Sequence, residues 1–304
     1  MRVAVLGPGA VGGLVAAALD RAGTPVVVVA RESTAAAIAE EGLSVSSVTF
    51  GELLARPRVI TRLDEPVDAL IVATKASGLA PALERIAAPP GLVLPLLNGL
   101  DHIALLRERF APGSVLAGAI RVEADRPAPG RIVHTSPFLV VQMACRYASA
   151  RAGMQRLAAE LTHAGVPARV LDSEAQVMWS KLVRLNALAC TTSAFDRPLG
   201  EIRDTPRLRA ELIGAIDEGC AVGRAEGAQD VDPATALDEL NRAHATLGSS
   251  MQRDIAAGRA PELDAIPGSV LRAAARHRLQ CPTIERLTAI IAARAGVSAP
   301  VVPR

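Results

Sequence analysis

The first 140 or so residues alternate short β-branched runs with Ala-rich stretches. Residues 2–6 (RVAVL), 25–30 (PVVVVA), 69–73, 92–96 and 115–119 read as strands, and 10–22 as a helix. These runs are continuously apolar rather than alternating. That pattern fits strands buried on both faces of a parallel sheet. Residues 131–134 and 138–143 predict a later β-hairpin or edge pair. From about 151 the texture changes. Residues 151–165 predict a helix that Gly165 is placed to end. A short strand-like VPARVL follows, and then helical patterns over 173–195, 205–227, 233–257, 267–278 and 282–295. Pro198, Pro206, Pro233, Pro261, Pro267 and Pro282 punctuate them. No internal repeat is visible, and the tail VSAPVVPR reads as irregular.

Strand–helix alternation followed by helices alone predicts an α/β chain. An N-terminal Rossmann-type, doubly wound parallel sheet spans 1–172, and an all-helical domain for substrate and catalysis spans 173–304. Composition agrees with two domains. The chain has 304 residues, half of them hydrophobic, and only 2% aromatic, so the cores must be built from Val, Leu, Ile and Ala. A net charge of +2 with no basic stripe interleaved with aromatics speaks against nucleic acid. No uninterrupted apolar stretch of about 18 residues predicts a membrane span. The N-terminal apolar run breaks into glycines too soon for a signal peptide. The cysteines Cys145, Cys190, Cys220 and Cys281 are widely spaced, as are the five histidines. They predict neither a disulfide framework nor a metal site, and reduced thiols in the cytoplasm are the expectation.

The chemistry starts at GPGAVG. Gly7, Gly9 and Gly12 stand directly after a predicted strand and open a predicted helix. Gly7 makes the turn, Gly9 lets the backbone approach a pyrophosphate, and Gly12 lets the helix pack on the sheet. The N–H groups of Ala10 and Val11 sit at the helix start, where they meet phosphate. The second strand ends in Arg31. A guanidinium there suits a 2′-phosphate and so NADPH. Glu32 beside it is the competing residue, able to take a ribose 2′-hydroxyl instead. Lys75 follows the 69–73 strand, on the ligand-binding edge of such a sheet. A cofactor or substrate contact and an ordinary surface lysine fit it equally.

These residues, read with the second half, resemble the ketopantoate reductase family over nearly the whole chain. The landmarks are GPGAVG, Arg31, VATKAS with Lys75, LLNGL with Asn98 and Gly99, and Ala124 ten residues before His134. Further on come MWSKL with Lys181, SSM at 249–251, and PELDAIPG with Glu262. The resemblance implies NADPH-dependent reduction of a small 2-oxo acid, ketopantoate first, in a cleft between the domains. It makes Lys181 the general acid, Asn98 the residue that orients nicotinamide or substrate, and Glu262 an acceptor for a substrate hydroxyl. Ser250 binds the substrate carboxylate, and Ala124 meets the cofactor through its backbone. Read without the family, Lys181 is an amphipathic-helix lysine, Asn98–Gly99 a turn, Glu262 a helix-start glutamate and Ser250 a polar helix residue.

One part of the pattern is missing. The family usually carries Asn four and eight residues after the lysine, on the same helix face. Here those positions are Leu185 and Ala189, and Asn186 points roughly 140° away. Losing two polar groups beside the acid predicts a shifted preference, toward a less polar 2-oxo acid. Two alternatives stand beside this reading: a related NADP-dependent reductase of another carbonyl, and an NADP-binding sensor with a decayed site. Nothing fixes the oligomeric state, and a homodimer is open to it.

Overall fold

The computed structural model describes residues 1–303; Arg304 lies outside them. It divides into two compact units. The first holds Met1–Leu97 and His102–Val177; the second holds Asn98–Asp101 and the chain from Met178 onward. The division therefore falls at 177, inside a helix, rather than at 172. Four residues from the predicted first domain count with the second.

The first unit contains, in chain order, β1 (Val3–Leu6), α1 (Ala10–Arg21), β2 (Val26–Val29), α2 (Glu32–Glu41), β3 (Leu43–Ser47), β4 (Gly51–Ala55), β5 (Arg58–Ile60), β6 (Ala69–Val72), α3 (Leu79–Leu83), β7 (Leu92–Pro95), α4 (His102–Arg109), β8 (Ala117–Arg121), β9 (Ala124–Ala128), β10 (Arg131–His134), β11 (Val140–Ala144), α5 (Arg151–His163) and β12 (Ala168–Val170). Five strands form a parallel sheet in the order β5-β2-β1-β6-β7. Every residue of β1, β2, β6 and β7 is buried. Val3, Val5, Ile71 and Leu94 join a core with α1 and α5 on one face. Ala4, Leu6, Val72 and Val93 join another with Leu79, Leu83 and Leu106 on the other. Two covered faces explain why these strands read as unbroken apolar runs.

The predicted hairpin at 131–143 does not form. β10 pairs in parallel with β3 and antiparallel with β9, in a four-stranded sheet ordered β4-β3-β10-β9. β11 lies in a separate sheet, between β12 and β8. The physical reason is burial. Ile132 of β10 packs over Gly13 of α1, so β10 closes the far side of that helix rather than turning back on its neighbour.

The second unit is helical: the bulk of α6 (Glu174–Phe195), then α7 (Leu199–Asp204), α8 (Pro206–Ala225), α9 (Pro233–Arg242), α10 (Ser250–Ala256), α11 (Ser269–Arg276) and α12 (Pro282–Ala295). The single helix predicted over 233–257 is two helices. Between them, Arg203 donates to the carbonyls of Leu240, Asn241 and Ala243, and Leu199 and Gly200 donate to Leu247 and Ala245. These partners replace the helical ones and stop α9. The helix predicted from 267 begins earlier, because Pro267 lies inside a single π turn, Asp264–Gly268. Pro267 has no N–H to give the carbonyl of Leu263. Gly268 supplies it one residue later, at 3.1 Å, which widens the turn.

α8 contacts α7, α9, α11 and α12. Its Glu218 caps α12, accepting from Thr283 N at 2.8 Å and Ile284 N at 2.9 Å just after Pro282. Glu218→Ala strands two N–H groups and is expected to destabilise the protein by about 1 kcal/mol. Urea denaturation checks this, with NADPH affinity unchanged.

Candidate active site

The turn after β1 is built by backbone crowding. Gly7 has φ +87°, and a Cβ there would lie 2.7 Å from Cγ2 of Thr74. Gly12 has no room at all, since a Cβ would stand 2.2 Å from the carbonyl oxygen of Gly7. Gly9, the N-cap of α1, faces open space, with only Ala73 O at 3.8 Å from a Cβ. α1 has no side-chain cap and no acidic residue in its first turn. The N–H groups of Ala10, Val11 and Gly12 have no carbonyl one turn earlier to receive them. This open cradle of donors at a helix N-terminus fits a dinucleotide pyrophosphate. Beside it, the buried hydroxyl of Thr74 has no partner among the described residues, a feature with no signature in the sequence.

Arg31 is exposed, next to the 75–78 turn; a Cβ on Gly78 would lie 3.8 Å from its guanidinium. Glu32 is engaged elsewhere. Arg85 grips both of its oxygens, at 2.9 and 3.1 Å, and that hydrogen bonding holds the Glu32 carboxyl below the usual carboxylate range. Sequence reading left Glu32 and Arg31 competing for the ribose; the Arg85 pair occupies Glu32. Lys75 is exposed, at the start of the 75–78 turn. Ala124 is half-buried at the start of β9, paired in register with His134. His134 is buried between the hydroxyls of Ser47 and Ser136, and desolvation lowers its pKa.

In the second unit three predicted residues come together. Lys181, half-buried on α6, donates to Asn98 Oδ1 at 2.8 Å; Asn98 Nδ2 donates to Glu262 Oε2 at 2.9 Å. The chemistry fixes the amide's orientation. An ammonium can only donate and a carboxylate can only accept, so the carbonyl must face the lysine. Gly99 holds this turn in place with φ +84°; a Cβ there would be 1.9 Å from Ala265 O in the π turn just after Glu262.

Ser250 does not join the cluster: it is exposed at the first position of α10. Its neighbour Ser249 is buried, capping α10 and receiving a hydrogen bond from Thr192 of α6. Leu185 is half-buried and Ala189 fully buried. Asn186 is buried, taking the Cys190 thiol. Burial pushes the Cys220 and Cys281 thiols up to about 11 and 12, which keeps them protonated and unreactive at neutral pH. Among the described residues no cluster could hold a metal, and no helix is long and apolar enough to cross a membrane.

A doubly wound sheet with a glycine phosphate turn, followed by a helical unit, defines a dinucleotide-dependent oxidoreductase. Family comparison narrows this. Residues 3–143 match the model "Ketopantoate reductase PanE/ApbA" and 175–295 match its C-terminal counterpart. The chain is 30% identical to the 2-dehydropantoate 2-reductase of Caulobacter vibrioides over 301 residues, covering 96% of this chain and 99% of that one. It is also 30% identical to an uncharacterized Bacillus subtilis oxidoreductase, YkpB, covering 95% and 97%. Its fold matches 2-dehydropantoate 2-reductase from Geobacter metallireducens (TM-score 0.87, 25% identity, 96% and 99% covered). It also matches D-mandelate dehydrogenase solved with NADH and anilino(oxo)acetate (TM-score 0.88, 21% identity, 97% and 99% covered). The chain belongs to the ketopantoate reductase family. It is an NADP-dependent oxidoreductase acting on CH–OH groups, with NADPH as its cofactor.

Proposed function

We propose that the protein reduces a small 2-oxo acid to the 2-hydroxy acid with NADPH, with ketopantoate as the first substrate to test. The observation that carries this is the hydrogen-bonded chain Lys181–Asn98–Glu262. It presents a proton donor, a neutral orienting amide and a carboxylate on three separate segments. Bound NADPH supplies the hydride. Lys181 gives its Nζ proton to the oxygen of the 2-oxo group, and before that its charge stabilises the developing alkoxide. Asn98 holds the ammonium and orients the carbonyl or the nicotinamide, and Glu262 accepts from a substrate hydroxyl. Ser250, exposed and outside this hydrogen-bonded chain, is given the substrate carboxylate on the family resemblance alone. The N–H groups of Ala10, Val11 and Gly12 take the pyrophosphate behind the Gly7 turn. Arg31 takes the 2′-phosphate, with Lys75 and the Ala124 backbone as further cofactor contacts. The reading carries with it a cytoplasmic location, with the four thiols reduced.

Leu185 favours a refinement. It lies one turn beyond Lys181 on the same helix face and keeps part of its surface accessible, so an apolar group meets any substrate portion there. Ala189 is fully buried and acts only through packing. A 2-oxo acid with an apolar substituent fits this face better than one with a hydroxyl.

The test is NADPH oxidation across 2-oxo acids, from ketopantoate to 2-oxoisovalerate and phenylglyoxylate, with NADH for comparison. The expected result is turnover with the 2-oxo acids and the best kcat/KM for an apolar substituent. Arg31→Ala should weaken NADPH by roughly tenfold or more, about one charge-assisted pair, and leave NADH nearly unchanged. NADPH binding without turnover of any carbonyl would instead support the sensor reading.

A further inference from the structure

We infer that Arg272 is a positioning residue for Asn98: its guanidinium clamps the Asn98–Asp101 turn to the segment that carries Glu262. The inference rests on the proposed site and adds a residue that contacts none of the three groups in it. Arg272 projects from α11 with its side chain 19% exposed. Its Nε and one terminal nitrogen donate to Asp101 Oδ2, at 3.1 and 2.6 Å. Its terminal nitrogens also reach Asp264, one to Oδ1 and one to the backbone oxygen, each at 2.8 Å. A further contact at 3.3 Å goes to the carbonyl of Val301.

Asp101 lies three residues after Asn98, and Asp264 two residues after Glu262. One planar cation therefore joins the two short segments whose side chains meet in the Asn98–Glu262 hydrogen bond. The Gly99 backbone, pressed on Ala265 O, gives this contact a second point. Two points fix the direction in which the Asn98 amide projects, and so where its carbonyl meets Lys181. Only arginine serves here. Its rigid fork of five donors satisfies two carboxylates and two carbonyls together, whereas a lysine offers three donors from one atom.

The chain has only two lysines, Lys75 and Lys181, which makes the test clean. Protein labelled with 13C-lysine shows two ε-methylene signals, one at the site and one as internal control. Asp101→Ala removes the clamp at a half-exposed carboxylate with little risk to folding. Arg272→Gln removes the fork and adds no third lysine signal. In both variants the Lys181 signal should move while Lys75 stays. kcat should fall about tenfold, since displacement of reacting groups by about 1 Å is costly. KM for the oxo acid should stay within threefold, and NADPH Kd within twofold. The double variant should be no worse than either single one, because both act through one contact. An unmoved Lys181 signal, an unchanged kcat or multiplied losses would overturn the proposal. The lysine signals do not depend on turnover. A wild type that reduces no 2-oxo acid would sink the functional reading and leave the clamp to be decided by those signals.

Discussion

Lys181→Arg is expected to lower kcat by roughly a hundred- to ten-thousandfold, the usual span for losing a positioned general acid, while NADPH Kd changes less than twofold. The substitution keeps the positive charge and the helix, and it can still donate to Asn98. It removes one capacity only, because a guanidinium does not give up a proton at any working pH. Lys181→Ala should lose more, since charge stabilisation of the developing alkoxide disappears as well. The composition makes the same point from another side. Of 33 basic residues only two are lysine, so arginine serves this chain nearly everywhere that charge alone suffices. Initial rates and NADPH titrations on the two variants decide the matter. If Lys181→Arg keeps a tenth or more of the wild-type turnover, Lys181 acts by its charge and the proton comes from elsewhere.

What the sequence made legible follows from how local each feature is. The glycine turn could be read because its three glycines, the strand before it and the helix after it all lie within about twenty residues, and Gly12 answers a crowding by the Gly7 carbonyl inside the turn itself. The central strands could be read because burial on both faces erases polar alternation. The 131–143 region was misread because β10 takes a partner nearly ninety residues away in the chain, β3, and nothing local encodes that choice over a turn to β11. The helix over 233–257 failed for a similar reason. Its interruption depends on Arg203, 38 and 40 residues earlier in the chain, claiming the carbonyls that would have continued it. At the site, Asn98, Lys181 and Glu262 were visible only as family landmarks, since 164 residues separate the ends of the bridge that joins them. Arg272 and Arg85 were invisible, because one arginine among many carries no mark of the carboxylate it will meet.

The glycine turn offers the other large effect, and two glycines in it separate folding from binding. Gly12→Ala places a methyl 2.2 Å from the Gly7 carbonyl. That oxygen belongs to backbone in a turn with φ +87°, so it has little freedom to yield. α1 must move off β1, at about 1–3 kcal/mol for overpacking, and its first N–H groups leave the phosphate position. Gly9→Ala does none of this. Its φ is −76°, a value any residue adopts, and its Cβ meets nothing closer than 3.8 Å. The apo protein should fold and melt as the wild type does. Yet both variants should lose NADPH affinity by roughly a hundredfold, about the worth of one or two charge-assisted hydrogen bonds. For Gly12→Ala the cradle is displaced; for Gly9→Ala the new methyl fills the space the pyrophosphate needs. Thermal melts paired with NADPH fluorescence titrations read the two effects separately. A Gly9→Ala protein that binds NADPH as tightly as the wild type would mean the open space over Gly9 is not where the phosphates sit.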